Sequence, residues 1–531
     1  MKMRNACLIA IPLLTFGLVA GCADEATEPV QIEAGLVSGM PGDETGNVTV
    51  YRGIPYAAPP TGQLRWKLPQ PVEPWASVRV CENYGPVCPQ PNKRIGVYEA
   101  DKAPADEDCL YLNVWTPAGT PQGKLPVMVW IHGGGFTIGS GSMRYYDGQN
   151  LARLGVVMVT INYRLGPLGF FAHPQLSAES ERGVSGNYGV LDQIAALDWV
   201  QQNIAAFGGD PNRVTIFGES AGSVSVCYLM VSPLAKGLFH RAIAESGAAQ
   251  FMKVRLRGDN PRRESAEAMG LRLAKELGCD GPDALARLRQ KSSQELLDTI
   301  KPQILSSARG NKLYPILDGY VLPDAPGKLF AEGKQHNVPL IMGSNAADGN
   351  IFAIGMPLKT AAAYNILVRK LFRGYADRIL KLFPAESDDD VKAAYQRLLT
   401  VAAFACPTRL TLRQMSKVEA NAYQYEFTRV PPVLARQGMG AIHGLEVHYV
   451  FRNVNPRMLT PADEELSQVI SAAWVRFAAT GNPSGDGLEW PPYEQATEWY
   501  LDFGDEVKVR SHLYREECDL LAEIGFPLLK Q

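Results

Sequence analysis

Gly218-Glu219-Ser220-Ala221-Gly222 is a G-x-S-x-G pentapeptide, and it occurs once in the sequence. It follows the strand-like run Val214 to Phe217 and opens the apolar stretch Ala221 to Val231. That order reads as buried strand, sharp turn, helix. Such a turn lifts the serine hydroxyl out of the sheet and sets it at a helix N-terminus, which favours developing negative charge. The flanking glycines let neighbouring backbone come close. Ser220 is therefore the candidate nucleophile. A plain strand-to-helix turn would have the same local composition, so a second element is needed to decide. His132-Gly133-Gly134-Gly135-Phe136 supplies it, directly after another apolar run, Val127 to Ile131. Glycines in series leave backbone N–H groups unshielded. Donors placed where an acyl carbonyl becomes an oxyanion stabilise the transition state more than the substrate. Gly134, Gly135 and Ala221 are the expected donors.

A serine nucleophile needs a base, and the base needs an orienting carboxylate. Where the serine sits on such an elbow, the acid and then the histidine follow it in the chain. The chain has seven histidines. His132 and His173 precede Ser220, and His240 comes before any suitable acid. His336 lies in a loop entering a strand, and His512 lies in a charged stretch near the C-terminus. His443 sits among small residues in Gly438-Met439-Gly440-Ala441-Ile442-His443-Gly444, a loop that lets an imidazole reach a cavity. His448, in Glu446 to Phe451, reads as a packed or surface position. His443 is the expected base, and activity should fall as pH drops through its pKa. Asp348, in Gly343-Ser344-Asn345-Ala346-Ala347-Asp348-Gly349, is the expected acid. Asp318, in Leu317-Asp318-Gly319, is the rival, although Asp-Gly pairs are commonly only turns.

The elements that must hold these groups alternate strand and helix. Val127 to Ile131, Val156 to Ile161 and Asn212 to Phe217 read as strands buried on both faces. Tyr188 to Ala205 has helical spacing, with Val190, Leu191, Ile194, Leu197, Trp199, Val200 and Ile204 apolar. Ala242 to Ala244, Pro339 to Met342 and Ala422 to Phe427 supply further strands. The pattern predicts a large, mostly parallel sheet covered by helices. Gly258 to Gln335 and Pro357 to Met415 are helix-prone and read as insertions over one end of that sheet. Gly53 to Trp75, rich in Pro and Gly, reads as irregular surface.

The 531 residues are 46% hydrophobic and 20% charged, enough for a large core. A net charge of -3 and the lack of a basic stripe argue against nucleic acid as a partner. Lys2 and Arg4, the apolar stretch Leu8 to Val19 and then Val19-Ala20-Gly21-Cys22 read as a lipoprotein-type signal over residues 1–21, with Cys22 the lipidated residue. An ordinary secretory signal is the alternative. Residues 22–30 then form a flexible tether and 31–531 a single domain. The protein is expected outside the cytoplasm, held to a bacterial membrane only through the lipid. Export permits disulfides. Of nine cysteines, Cys7 and Cys22 belong to the signal, and seven is an odd number, so at least one is free or pairs elsewhere.

Together the motifs resemble the type-B carboxylesterase and cholinesterase-like family of α/β-hydrolases. The resemblance runs from Gln31 to Leu529. Glu107-Asp108-Cys109-Leu110-Tyr111-Leu112-Asn113-Val114 resembles the second signature of that family, and Phe217 to Gly222 its serine signature. Arg52-Gly53-Ile54-Pro55-Tyr56-Ala57 with Arg65-Trp66 resembles its N-terminal segment. The resemblance implies the α/β-hydrolase fold and disulfides Cys88–Cys109 and Cys406–Cys518. It also implies an Arg65–Glu107 ion pair, and second-layer roles for Glu219 and Ser246 near the catalytic groups. Cys279 resembles half of another family disulfide whose partner, near Phe251, is not a cysteine. The pairing of Cys81, Cys227 and Cys279 stays open. Many members have Asp-Glu-Gly where this chain has Ala347-Asp348-Gly349; aspartate is one methylene shorter, and either carboxylate serves in this fold.

The expected function is hydrolysis of small-molecule carboxylic esters through an acyl-enzyme, with no cofactor and no metal. Alternatives are a non-catalytic binding or adhesion protein on the same scaffold, or an amidase or carbamate hydrolase. Phe136, Tyr145, Phe170, Phe171 and Phe352 are candidate pocket residues. Oligomeric state is not legible.

Overall fold

Val127, Val129 and Ile131 face one hydrophobic core, while Met128 and Trp130, alternating with them, face another. A strand apolar on both sides belongs in the middle of a covered sheet. The computed structural model places it there. It describes residues 26–42, 45–91, 103–119, 124–251, 254–258, 264–302, 311–453 and 460–525. The expected signal, Cys22 and the start of the tether lie outside the described residues.

The strands described are, in chain order, β1 (Val30–Ile32), β2 (Gly35–Ser38), β3 (Met40–Pro41), β4 (Val48–Pro55), β5 (Arg79–Val80), β6 (Tyr111–Pro117), β7 (Leu125–Ile131), β8 (Val157–Ile161), β9 (Gly209–Glu219), β10 (Arg241–Glu245), β11 (Leu340–Asn345), β12 (Ala422–Phe427), β13 (Trp499–Phe503) and β14 (Val507–Ser511). Among the described residues β1, β2 and β5 form a small sheet, and the other strands form one of order β14-β13-β12-β11-β10-β9-β7-β8-β6-β4-β3. From β8 to β13 every neighbouring pair is parallel. The edges beyond them, β6-β4-β3 on one side and β14 on the other, pair antiparallel. This is the α/β-hydrolase fold, a mostly parallel central sheet with helices on both faces. In such sheets ligands bind beyond the carboxyl ends of the strands.

The parallel registers bring those ends level. Ile131 pairs with Gly218, Glu219 with Glu245, and Glu245 with Gly343. The residues that follow, His132, Ser220 and Ser246, therefore emerge side by side.

Helices Tyr188–Asn203 and Ala221–Leu229 cover the middle of the sheet. Every residue of the second is buried, as a helix apolar all round should be. The two insertions are helical as expected. In the first, Ser265 caps helix Ala266–Glu276, and Ser292 with Glu295 forms a capping box on Ser293–Ile300. The second contains helices Ala361–Phe372, Val391–Leu399 and Cys406–Met415, with a π-helical turn at Thr400–Ala405 between the last two. It builds its own apolar cluster with the C-terminal helix Arg515–Ile524, and Cys406–Cys518 ties the two together.

Three expectations change. Gly53 to Trp75 is only partly irregular: Gly53 to Pro55 complete β4, and Tyr56, Ala57 and Trp66 are buried. The strands β3, β4, β6 and β14, which pair antiparallel, and the parallel strand β13 were absent from the sequence reading. Cys88 and Cys109 are both buried and within hydrogen-bonding reach of each other, but they stand as two thiols, not as the expected bridge. The amide of Leu165 donates to Cys88 Sγ at 3.2 Å, an interaction that holds the sulfur in its present place. The Arg65–Glu107 pair is present, with Arg65 Nε donating to Glu107 Oε2 at 2.7 Å, and Arg65 Nη1 also bonds the carbonyl of Lys291 at 2.6 Å.

Candidate active site

Strand β9 ends at Glu219, and the helix begins at Ala221. The chain turns on Ser220 alone. Its φ of 57° and ψ of -119° lie in a region that side-chain-bearing residues avoid. The turn is held because the Ser220 amide donates to the carbonyl of Glu245 at 2.8 Å. The flanking glycines have a measurable reason. A Cβ on Gly222 would stand 1.9 Å from the carbonyl oxygen of Ile131, and one on Gly218 would stand 2.5 Å from it. Only glycine lets the end of β7 lie this close to the elbow.

The glycine run leaves β7 at the same level. Gly134, Gly135 and Phe136 are all left-handed, with φ of 102°, 63° and 57°. A Cβ on Gly133 would meet the Ser220 Cβ at 3.2 Å and the Glu219 carboxylate at 2.8 Å, so the run lies against the elbow. Ala221 is the first residue of its helix, where backbone N–H groups have no partner within the helix.

The His443 ring is buried. Its Nδ1 lies 2.7 Å from Asp348 Oδ1, and its Nε2 lies 3.2 Å from Glu219 Oε1, the carboxylate next to Ser220 in the chain. The second oxygen of Asp348 accepts from the Asn345 amide at 2.8 Å and from Ser246 Oγ at 3.0 Å. The two loops are fastened together. The Ala347 amide donates to the carbonyl of Ala441 at 3.0 Å, Asn345 Nδ2 to that of Ile442 at 2.8 Å, and Asn350 Nδ2 to that of Met439 at 2.8 Å. The π-helical turn supports them from behind, where Thr400 Oγ1 accepts from the Gly349 amide at 2.9 Å.

Glu219, Glu245, Glu446 and Asp348 are all buried in this region. Burial, with the charges of the other three beside it, pushes Glu446 far above the usual carboxyl range. That direction favours the protonated, uncharged form. Asn345 Nδ2 donates to Glu446 Oε2, and Ser246 Oγ, 3.4 Å from Glu446 Oε1, sits between Glu446 and Asp348. A proton on Glu446 lets Ser246 accept from it while donating to Asp348.

Burial also pushes Glu245 up to about 8, against a lowering hydrogen bond from Trp474 Nε1 at 2.8 Å. A raised carboxyl pKa favours folding in its neutral form. That contribution is full below about pH 4.5, the unfolded value, and is lost as pH rises through about 8. Glu245→Gln keeps the acceptor for Trp474 and cannot ionise. Its Tm should exceed that of the native protein at pH 9 and match it closely at pH 5. Thermal melts giving the same difference at both pH values would contradict this.

The other expected residues are placed as follows. Asp318 accepts from the amides of Tyr320 and Leu322 at 3.0 Å each, capping its own turn. His448 is half-buried against Tyr145. Phe352 packs against the His443 ring, and Phe136 against Phe170 and Tyr314. Phe171 faces Trp66 and His173, and is core. Phe404, from the π-helical turn, is a neighbour of His443 that the sequence reading missed. Asn345, Glu446 and Thr400 were also missed. The i, i+3 spacing of His443 and Glu446 across the start of helix Leu445–Val450 was a usable signal for one of them. Burial pushes Cys81 up to about 11 and Cys227 up to about 12, so neither is a thiolate nucleophile at neutral pH.

The family model described as Carboxylesterase family matches residues 26–521. A fumonisin B1 esterase of Sphingopyxis macrogoltabida is 40% identical, covering 95% of this chain and 92% of the relative. The para-nitrobenzyl esterase of Bacillus subtilis (strain 168) is 37% identical over 88% of this chain and 94% of its own. A liver carboxylesterase of Sus scrofa is 38% identical over 90% and 89%. Among solved structures, a PNB esterase superposes with a TM-score of 0.79 at 34% identity, covering 93% of this chain and 99% of the other.

Proposed function

The chain belongs to the carboxylesterase family and is a serine ester hydrolase, and from that premise we propose that Ser220 is its nucleophile, His443 its base and Asp348 the acid that orients the base. The observation that carries this reading is the buried 2.7 Å contact between His443 Nδ1 and Asp348 Oδ1, with the far nitrogen of the ring turned to the residue beside Ser220. Ser220 Oγ attacks the ester carbonyl while His443 Nε2 takes its proton. The oxyanion is received by the amides of Gly134, Gly135 and Ala221. His443 returns the proton to the leaving alcohol, and water then cleaves the acyl-enzyme by the same route. Asp348 and Glu219, one at each ring nitrogen, stabilise the imidazolium that forms in between.

The rings of Phe352 and Phe404 beside His443, with Phe136 at the end of the glycine run, favour esters with apolar or aromatic groups next to the carbonyl. Graded p-nitrophenyl esters, paired with the matching anilides, test both parts. Ester turnover should rise from acetyl to medium or aromatic acyl groups, with anilides far slower. Anilides cleaved as fast as esters would make the protein an amidase.

The sequence around Cys22 supports export and lipid attachment, and among the described residues no helix is long and apolar enough to cross a membrane. Cells fed a labelled fatty acid should label the native chain and not Cys22→Ser. A native chain as unlabelled as Cys22→Ser would leave an exported protein without the anchor, and label on both would place the lipid on another residue.

A further inference from the structure

We propose that Gln90 is a positioning residue for ester hydrolysis: its side-chain amide clasps Gly139 and so sets the glycine loop that receives the oxyanion. The proposal rests on the oxyanion role given above to Gly134 and Gly135. The clasp has two points. The Gly139 amide donates to Gln90 Oε1 at 2.8 Å, and Gln90 Nε2 donates back to the Gly139 carbonyl at 3.0 Å. Gln90 Nε2 also bonds the carbonyl of Cys88 at 3.1 Å, which fixes the amide plane. A primary amide that matches both main-chain groups of one residue behaves as an added strand partner.

Gly139 is the far end of the loop. Its φ is 110°, and a Cβ there would stand 2.5 Å from His132 Nδ1 and 2.7 Å from the Gly133 carbonyl oxygen. It is therefore packed directly on the two residues that open the glycine run. The loop closes on itself as well. The amides of Thr137 and Ile138 both donate to the Gly134 carbonyl at 3.1 Å. The Ile138 carbonyl oxygen lies so close to Gly134 that a Cβ would stand 2.1 Å from it. A second clasp works from the other side, where Asn162 Oδ1 accepts from the Gly141 amide at 2.8 Å and Asn162 Nδ2 donates to the Pro86 carbonyl at 3.1 Å. The segment from Pro86 to Gln90 is thus a strap across the outer end of the loop. Without the Gln90 amide, Gly139 can shift, and Gly133 and Gly134 shift with it. Oxyanion stabilisation depends on donor placement, whereas ground-state binding of the ester does not.

The test compares Gln90→Met, close in shape and without the amide, with the native enzyme. Active sites are first counted by titration with a fluorophosphonate. Per active site, kcat should fall tenfold or more with KM changed less than twofold. Affinity for an aryl trifluoromethyl ketone should fall by a similar factor. That ketone forms a hemiketal: a bond forms between Ser220 Oγ and the carbonyl carbon, the serine proton passes to His443, and the C=O pair becomes the oxyanion. Unchanged kcat and ketone affinity per site, or a rise in KM alone, would overturn the proposal. Gln90→Glu decides independently, and decides alone if Gln90→Met does not fold. The introduced carboxyl can donate to the Gly139 carbonyl only when protonated, so its kcat relative to native should recover as pH falls. A ratio flat with pH would overturn the proposal. A native enzyme insensitive to the ketone would instead contradict the role of Ser220, and is read separately.

Discussion

With Ser220 replaced by Ala, turnover of a p-nitrophenyl ester falls by about six orders of magnitude, the loss expected when the nucleophile of a triad that acts as a unit is removed. Stability should hardly move. Ser220 stands at the N-cap position of helix Ala221–Leu229, yet its side chain makes no capping bond. The elbow is held by main-chain groups, chiefly the Ser220 amide on Glu245, and by the glycine contacts with Ile131, all of which alanine keeps. Loss of an N-cap side-chain bond costs about 1 kcal/mol elsewhere; here there is none to lose. The check is kcat with the thermal midpoint measured on the same preparation. An inactive variant that melts far below the native protein would assign Ser220 a structural role instead.

Asp348→Asn should lower turnover by about four orders of magnitude. The reason lies in which atoms surround the carboxylate. One oxygen accepts from the Asn345 amide and Ser246 Oγ, so an asparagine must turn its carbonyl oxygen to that side. Its NH2 then faces His443 Nδ1, where the native oxygen stands at 2.7 Å. The ring must accept on Nδ1 and carry its proton on Nε2. A protonated Nε2 cannot take the serine's proton. Asp318→Asn disturbs the turn at Tyr320 and Leu322 and the contact with Asn187, and kcat should stay within about twofold of native. If the two variants behave the other way round, the acid has been misassigned.

The parts of this molecule that the sequence made legible are those in which local pattern and structure coincide. Strands β7 and β8 and the second half of β9, Val214 to Phe217, are buried on both faces, so they show as nearly continuous apolar runs close to glycine turns. The elbow and the glycine run are contiguous, and the histidines are few enough to sort by order. Strand β4 was hidden because Gly53 and Pro55 lie inside it and its buried face alternates irregularly. The edge strand β14 is mostly exposed, and carries Lys508 and Arg510 in place of an apolar signal. The Gln90–Gly139, Asn345–Glu446 and Ser246–Glu446 contacts join residues 49, 101 and 200 positions apart. Nothing in local composition marks such pairs. Phe404 reaches His443 from an insertion whose helices are legible but whose docking on the acid loop is not.

Reaction with a fluorophosphonate, followed by digestion and mass spectrometry, is the most direct test of the account. A single adduct should form, on the peptide containing Ser220, at a rate that collapses in His443→Ala, and esterase activity should disappear in step with labelling. An adduct on another serine, or full ester turnover from protein left unlabelled, would contradict it.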